Sequence, residues 1–159
     1  MYEVIYFSRA GSTKKVATAI ADELDVEARD IASVKSLPEG AYLFLGSGLY
    51  FMRPSRLIRE FIRDNAFEGR DVALFGTSAS GKGIEIKGME SLLKQKGAVI
   101  TGRYYCKGKF YSLRRGRPSR KDLELAGQFA RSVSDRLQGT KQIAGRREEK
   151  HEDRVLSRV

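Results

Sequence analysis

A chain of 159 residues, 41% of them hydrophobic, suits one domain with one sizeable core and need not be disordered. A single cysteine, Cys106, and a single histidine, His151, exclude a disulfide framework, a structural zinc site and a Ser–His–Asp or Cys–His catalytic set. Thirty Lys and Arg against twenty Asp and Glu give a formal net charge of +10, which either serves solubility alone or draws acidic partners.

No apolar run approaches the ~18 residues that span a bilayer, and Met1-Tyr2-Glu3-Val4 enters a strand pattern instead of a secretory signal. Together with the lone cysteine, this predicts a soluble, cytoplasmic protein.

Along the chain, short apolar runs alternate with stretches of helical period. Tyr2–Phe7 predicts a strand that ends in the loop Ser8-Arg9-Ala10-Gly11-Ser12. Thr13–Leu24 predicts a helix with Val16, Ala17, Ile20 and Leu24 on one face. A weaker strand follows at Val26–Asp30, then a turn at Ser36–Gly40. Tyr42–Leu45 is a fully apolar strand, succeeded by a glycine-rich loop over Gly46–Phe51. Pro54-Ser55 opens a helix bearing Leu57, Ile58, Phe61 and Ile62, and Asp71–Phe75 is the next buried strand, with a small-residue loop over Gly76–Gly83. A helix over Lys87–Lys96 stops at Gly97, Ala98–Cys106 is the last strand, and Lys121–Leu137 the last helix. Gln138–Val159 lacks apolar periodicity and reads as a frayed or disordered tail with a helical turn around Glu148–Val155.

Five strands alternating with helices predict a doubly wound α/β fold, with domain 1–137 followed by a charged tail, 138–159. In such a sheet, ligands bind outside the carboxyl ends of the strands, where strand order reverses. The loops after the first, third and fourth strands are the richest in Gly, Ser and Thr, which is where a crevice would use them. In the first, backbone N–H groups and the positive end of a helix dipole can hold a phosphate, helped by Ser8, Ser12 and Thr13, with Gly11 allowing close approach. An ordinary N-cap by Ser12 or Thr13 would use the same residues. Gly76-Thr77-Ser78-Ala79-Ser80-Gly81-Lys82 matches G-x-x-x-x-G-K, but Gly83 stands where a nucleotide-binding loop needs Ser or Thr.

Tyr6-Phe7-Ser8-Arg9-Ala10-Gly11-Ser12-Thr13 resembles the phosphate loop of the flavodoxin family, with Ala10 in place of the usual central threonine. The resemblance continues through Tyr42–Tyr50, Val72–Thr77 and Gly116–Leu123, and covers about the first 137 residues. It implies a flavodoxin-like five-stranded parallel sheet of order 2-1-3-4-5 with helices on both faces, and FMN as cofactor. By the same resemblance Ser8, Arg9, Ala10, Gly11, Ser12 and Thr13 hold the phosphate. Ser47, Gly48, Leu49, Tyr50 and Phe51 form one wall against the flavin ring, with Tyr50 the first candidate to stack and Phe51 the second. Thr77, Ser78, Ala79, Ser80 and Gly81 form the other wall. That wall has no aromatic residue, and Lys82 stands where many flavodoxins carry an acid, so a less negative potential for the fully reduced flavin is expected.

Between Arg103 and Lys121 lie eight basic residues and no acidic one: Arg103, Lys107, Lys109, Arg114, Arg115, Arg117, Arg120 and Lys121. Tyr104, Tyr105, Phe110 and Tyr111 interleave with them. This segment is either a solvated surface or a docking face for an acidic redox-partner protein or a phosphorylated or carboxylate-bearing small molecule; nucleic acid or an anionic surface is the remaining reading. Cys106 reads as a packing residue. The expected activity is therefore FMN-based electron transfer. The alternatives are an FMN-dependent oxidoreductase acting on a quinone or protoporphyrinogen-type substrate, and a nucleic-acid or anionic-surface module on the same fold.

Overall fold

The alternation of strand-like and helix-like runs is realised in a computed structural model that describes residues 1–109 and 116–156. Five parallel strands form the body of the sheet: β1 (Tyr2–Tyr6), β2 (Ala28–Asp30), β3 (Tyr42–Tyr50), β5 (Asp71–Ser78) and β6 (Val99–Lys107). Their order is β2-β1-β3-β5-β6, and a two-residue strand, β4 (Arg53–Pro54), pairs antiparallel with the end of β3. This is the expected 2-1-3-4-5 arrangement once the side strand is set apart, so the order reverses between β1 and β3.

Helices cover both faces because successive strand residues point to opposite sides. Val4, Phe44, Ala73 and Phe75 face one way and meet α1 (Ser12–Glu23) through Val16, Ala17 and Ile20, and α4 (Arg120–Leu156) through Ala126, Ala130 and Val133. Ile5, Leu43, Leu45, Val72 and Leu74 face the other way and meet α2 (Arg56–Asp64) and α3 (Ile84–Gln95) through Ile58, Ile62, Ile86, Met89 and Leu93. Ile5, Phe44, Leu45, Leu74 and Phe75 are fully buried, so each face of the sheet carries its own buried core. At about 25 cal/mol per Å² of apolar surface, each such side chain contributes roughly 1.5–3 kcal/mol.

Three expectations need correction. The glycine-rich segments Gly46–Tyr50 and Gly76–Ser78 are not loops: β3 and β5 run through them, paired Gly46↔Phe75, Ser47↔Gly76 and Gly48↔Thr77. Small residues are needed here because the neighbouring strand and its side chains lie close, and pairing with two neighbours outweighs their weak strand propensity. The helix expected from Lys87 starts earlier, at Ile84. The stretch beyond Gln138, expected as a frayed or disordered tail, is helical to Leu156 as a direct continuation of α4. It shows no apolar period because little of it is packed: Lys141 sits over the Tyr42 ring at 4.8 Å, Ile143 is largely exposed, and among the described residues no fully buried core residue follows Val133. Its abundance of Glu, Lys, Arg and Gln favours helix without any packed face. No described helix is long and apolar enough to cross a membrane.

Candidate functional site

At the carboxyl ends of the strands, on the β1/β3 switch point, a cleft of about 570 Å³ opens. Ser8, Arg9, Ala10, Ser12 and Thr13 line one end, Gly48, Leu49, Tyr50 and Phe51 one side, and Thr77, Ser78, Ala79 and Ser80 the other. Thirteen of the sixteen expected site residues thus converge on one cavity. Gly11, Ser47 and Gly81 do not line it, and each has a supporting place instead.

Gly11 is the N-cap of α1 with φ of 91°, a left-handed conformation that glycine adopts without a steric penalty. With no side chain there, α1 has no side-chain cap, so the capping role open to Ser12 or Thr13 is not the one they take. The Ser12 hydroxyl instead accepts from the Lys109 backbone N–H at 2.9 Å. Thr13 and Thr77 share a hydroxyl–hydroxyl bond of 2.8 Å that ties α1 to β5. The Ser8 hydroxyl accepts from Gly11 N–H at 3.1 Å and shapes the loop. The first-turn N–H groups of α1, which no helical carbonyl can reach, are left to the cleft. Nor is there an acidic residue in that first turn to compete for them.

Ser47 is fully buried; its hydroxyl donates to the Gly48 carbonyl at 2.8 Å and accepts from Ser55 N–H at 2.8 Å, clamping the end of β3 to the start of α2. Gly81 closes a turn in which its N–H donates to the Ser78 hydroxyl at 3.0 Å. The nucleotide-loop match over residues 76–82, already broken at Gly83, has no structural basis either: Gly76–Ser78 belong to β5.

The two aromatic candidates differ. Tyr50 is half-buried, packs edge-on against Phe7 with centroids 5.6 Å apart, and accepts a hydrogen bond from Arg9 N–H at 3.2 Å. It therefore joins the end of β3 to the loop after β1, and burial raises its phenol pKa. Phe51 is 98% exposed at the rim, with φ of 50°, followed by Met52 with φ of 63°. Both non-glycine residues sit in the left-handed region, a conformation that costs energy and recurs at ligand-contacting turns.

Met52, Ile84, Gly108 and Lys109 also line the cleft, and sequence reading had not placed them there; Lys82, noted for its charge, joins them. Gly108 and Lys109 reach it because β6 runs past Cys106 to Lys107 and Gly108 packs against Ser12 and Thr77. The signal was a glycine directly after the last strand, facing a loop already rich in small residues. With Arg9, Lys82 and Lys109 and no carboxylate among its described lining residues, the cleft is electropositive.

Of the basic segment, Arg103 is held by Glu90 at 2.7 Å, Arg117 by Asp122 at 3.0 Å and Arg120 by Glu124 at 3.2 Å. Arg103 and Lys94 together pull the Glu90 carboxyl down to about 2. Phe110, Tyr111, Arg114 and Arg115 lie outside the described residues. Cys106 is buried, and burial pushes its thiol up to about 11, which leaves almost no thiolate at neutral pH.

Beneath the second wall lies a group that no motif pointed to. Glu85, in the first turn of α3, is fully buried against Gly76, and among the described residues neither carboxyl oxygen has a hydrogen-bond partner beyond slight help from its own backbone N–H. Its helix-terminal position favours the anion by about 0.3–1 kcal/mol. Burial of an unpaired carboxylate costs several times more, so burial wins and the pKa is raised from 4.5. The favourable contribution of this group is complete below its ordinary value and is lost as pH rises through the raised one. Glu85→Met is therefore expected to stabilise the fold by about 1–3 kcal/mol at pH 7. The gain should shrink toward zero below the ordinary glutamate value. Urea unfolding of both proteins across this pH range measures it; a gain independent of pH would show that the carboxyl is not the cause.

The chain matches the family model described as flavodoxin domain over residues 3–110. No curated protein matches it in sequence. Among solved structures it is similar to oxidised flavodoxin 1 from Bacillus cereus, at 19% identity and a TM-score of 0.69, covering 84% of this chain and 97% of that one. It is similar to the Fusobacterium nucleatum flavodoxin bound to flavin mononucleotide, at 14% identity and a TM-score of 0.66, covering 85% and 97%. A flavodoxin, WrbA-like protein from Agrobacterium tumefaciens gives 19% and 0.60, covering 84% and 97%. The sheet order, the cleft at the switch point and the family match over 3–110 agree: the chain belongs to the flavodoxin domain family.

Proposed function

We propose that the protein binds FMN non-covalently and transfers electrons between redox partners. The observation that carries this reading is the uncapped first turn of α1 opening onto a carboxylate-free cleft with three cationic side chains. A phosphate monoester there would receive backbone N–H donors and the helix dipole. A volume of about 570 Å³ lies within the range of small-molecule sites. When bound, FMN supplies the redox chemistry; the protein binds it, orients it and sets its electrostatics. In this reading residues 8–13 hold the phosphate, Tyr50 or Phe51 covers one ring face, and residues 77–81 meet the other edge. All of these lie within residues 1–137, to which we assign the binding unit.

Titration of the apoprotein tests the proposal: FMN is expected to bind far more tightly than riboflavin and to give the bound-flavin absorbance bands. Equal affinity for both, or none for either, would overturn it. Arg9, Lys82 and Lys109 favour the negatively charged reduced ring, so spectroelectrochemistry is expected to place the second one-electron reduction at a less negative potential than in flavodoxins with acidic surrounds. Partners of this electropositive cleft would be acidic redox proteins or small phosphorylated or carboxylate-bearing molecules.

A second reading, an FMN-dependent oxidoreductase acting on a quinone or protoporphyrinogen-type substrate, is favoured by the wall at residues 77–80, which has no aromatic side chain and so leaves room beside the ring. Steady-state turnover of such a substrate separates the two, because a carrier alone gives little.

A further inference from the structure

A second cavity, of about 520 Å³, lies on the other side of the Tyr50–Phe51 turn and shares Arg9, Tyr50 and Phe51 with the flavin cleft. Arg53, Arg56 and Arg59 also line it, and among the described residues no carboxylate does. Their placement is unusual for a helix start. The cavity adjoins the amino end of α2, where Ser55 makes no side-chain cap and the first turn holds no acidic residue. Cations there oppose the positive end of the helix dipole, where proteins ordinarily place acids. Arg56 is neutralised by Glu60 at 2.7 Å; no ion pair forms at Arg9, Arg53 or Arg59 among the described residues. Arg59 Nε is buried and has no hydrogen-bond partner among the described residues, so a strong donor is held out of water with nothing to receive it. Uncapped helix N–H groups, an Arg59 Nε withheld from water on a half-buried side chain, and a concave lining without a carboxylate among the described residues all point to one missing component, an anion.

We propose that this cavity is a binding site for a small organic polyanion, with two or more carboxylate or phosphate groups on a flat apolar body. Guanidinium forks match either anion in a bidentate manner. Two anionic groups follow from the spread of the arginines over the β1 loop, β4 and α2. The flat body follows from the aromatic side chains of Tyr50 and the exposed Phe51 on the shared wall. The concavity suits a small molecule better than the broad, flat face of a protein partner. As a binding site the proposal stands on these residues alone. That the ligand is the electron donor or acceptor rests on the function proposed above, because only the shared Tyr50–Phe51 wall would then separate it from the flavin.

The test uses the full chain, with and without FMN, at about 0.15 M salt to suppress diffuse attraction. Benzene-1,2,4,5-tetracarboxylate is titrated and followed by backbone and arginine Nε–H NMR signals. The expected result is saturable binding with shifts centred on residues 53–59 and the Arg59 Nε–H, retained when FMN is present. Arg53→Gln/Arg59→Gln should weaken it at least tenfold. Arg146→Gln/Arg147→Gln, which removes the same charge from the far part of α4, should change it less than twofold. Arg53→Gln alone, at an exposed position, serves if the double variant fails to fold, with a smaller loss expected. Equal weakening by the two double variants, shifts confined to residues 8–13, or absence of binding would each overturn the site. Inorganic pyrophosphate binding as tightly as the tetracarboxylate would overturn the flat body. Failure of FMN to bind would leave these outcomes readable, since the shifts without FMN report this cavity alone.

Discussion

Ala10→Asp is expected to weaken FMN binding by about a hundredfold while leaving riboflavin binding within roughly threefold of the wild type. Ala10 is exposed in the loop before α1 and lines the cleft, so the substitution disturbs no core contact. In the proposed complex a carboxylate there would stand beside the bound phosphate, and like charges at close range in a partly screened site repel by several kcal/mol. Riboflavin has the same ring but no phosphate, so the ratio of the two affinities isolates the phosphate contact from general damage. The reverse substitution should work in the opposite direction. Ala10→Thr supplies a hydroxyl donor to a charged acceptor, a bond of about 1.5 kcal/mol, and is expected to tighten FMN about tenfold. Fluorescence titration of the three proteins with both flavins measures this. Parallel losses for FMN and riboflavin would place the phosphate elsewhere.

Gly46→Ala is expected to destabilise the fold by roughly 3 kcal/mol and to lower Tm by about 10 °C. In most strands this change is mildly favourable, by about 0.5–1 kcal/mol, because alanine loses less backbone entropy than glycine. Here a Cβ would fall inside the ring of Phe75, which is fully buried and paired with Gly46 across β3 and β5. An aromatic ring in a closed core has no alternative rotamer to retreat to, so the strain passes to the sheet. Phe75→Leu in the same chain should recover at least about 1 kcal/mol, a coupling that distant sites do not show. Thermal and urea unfolding of the two single variants and the double variant supply the cycle. A neutral Gly46→Ala would mean that the ring and the strand are not packed as described.

The two variants probe different levels of one arrangement. Gly46 and Ser47 are the inner part of β3, whose last residues, Gly48–Tyr50, become one wall of the cleft. A glycine lets Phe75 fill the space under that wall, and the buried Ser47 clamp fixes where the turn at Phe51 and Met52 begins. The rigidity that positions the candidate ligand-binding residues therefore comes from packing beneath them.

How much of this was legible in the residues varies by kind of signal. Alternation of apolar runs with helical period determined the α/β class, the strand sequence and the two helical layers, because burial on both sheet faces leaves a local pattern in each segment. The shape of the loop between β1 and α1 was legible too: strand, glycine and hydroxyl residues, then helix is a local feature, and Gly11 stands where a left-handed turn requires it. Only the tertiary structure decided the rest. Gly46–Tyr50 and Gly76–Ser78 look like loops one at a time and become strands only when each supplies the other's hydrogen bonds. The extension of α4 to Leu156 carries no period because its described contacts, such as Lys141 over the Tyr42 ring, are too few to impose one. Glu85 and the arginines at the start of α2 look in sequence like ordinary surface charge. Burial under Gly76 in one case, and convergence of the β1 loop, β4 and α2 in the other, are relations between distant segments, and no local pattern of residues encodes them.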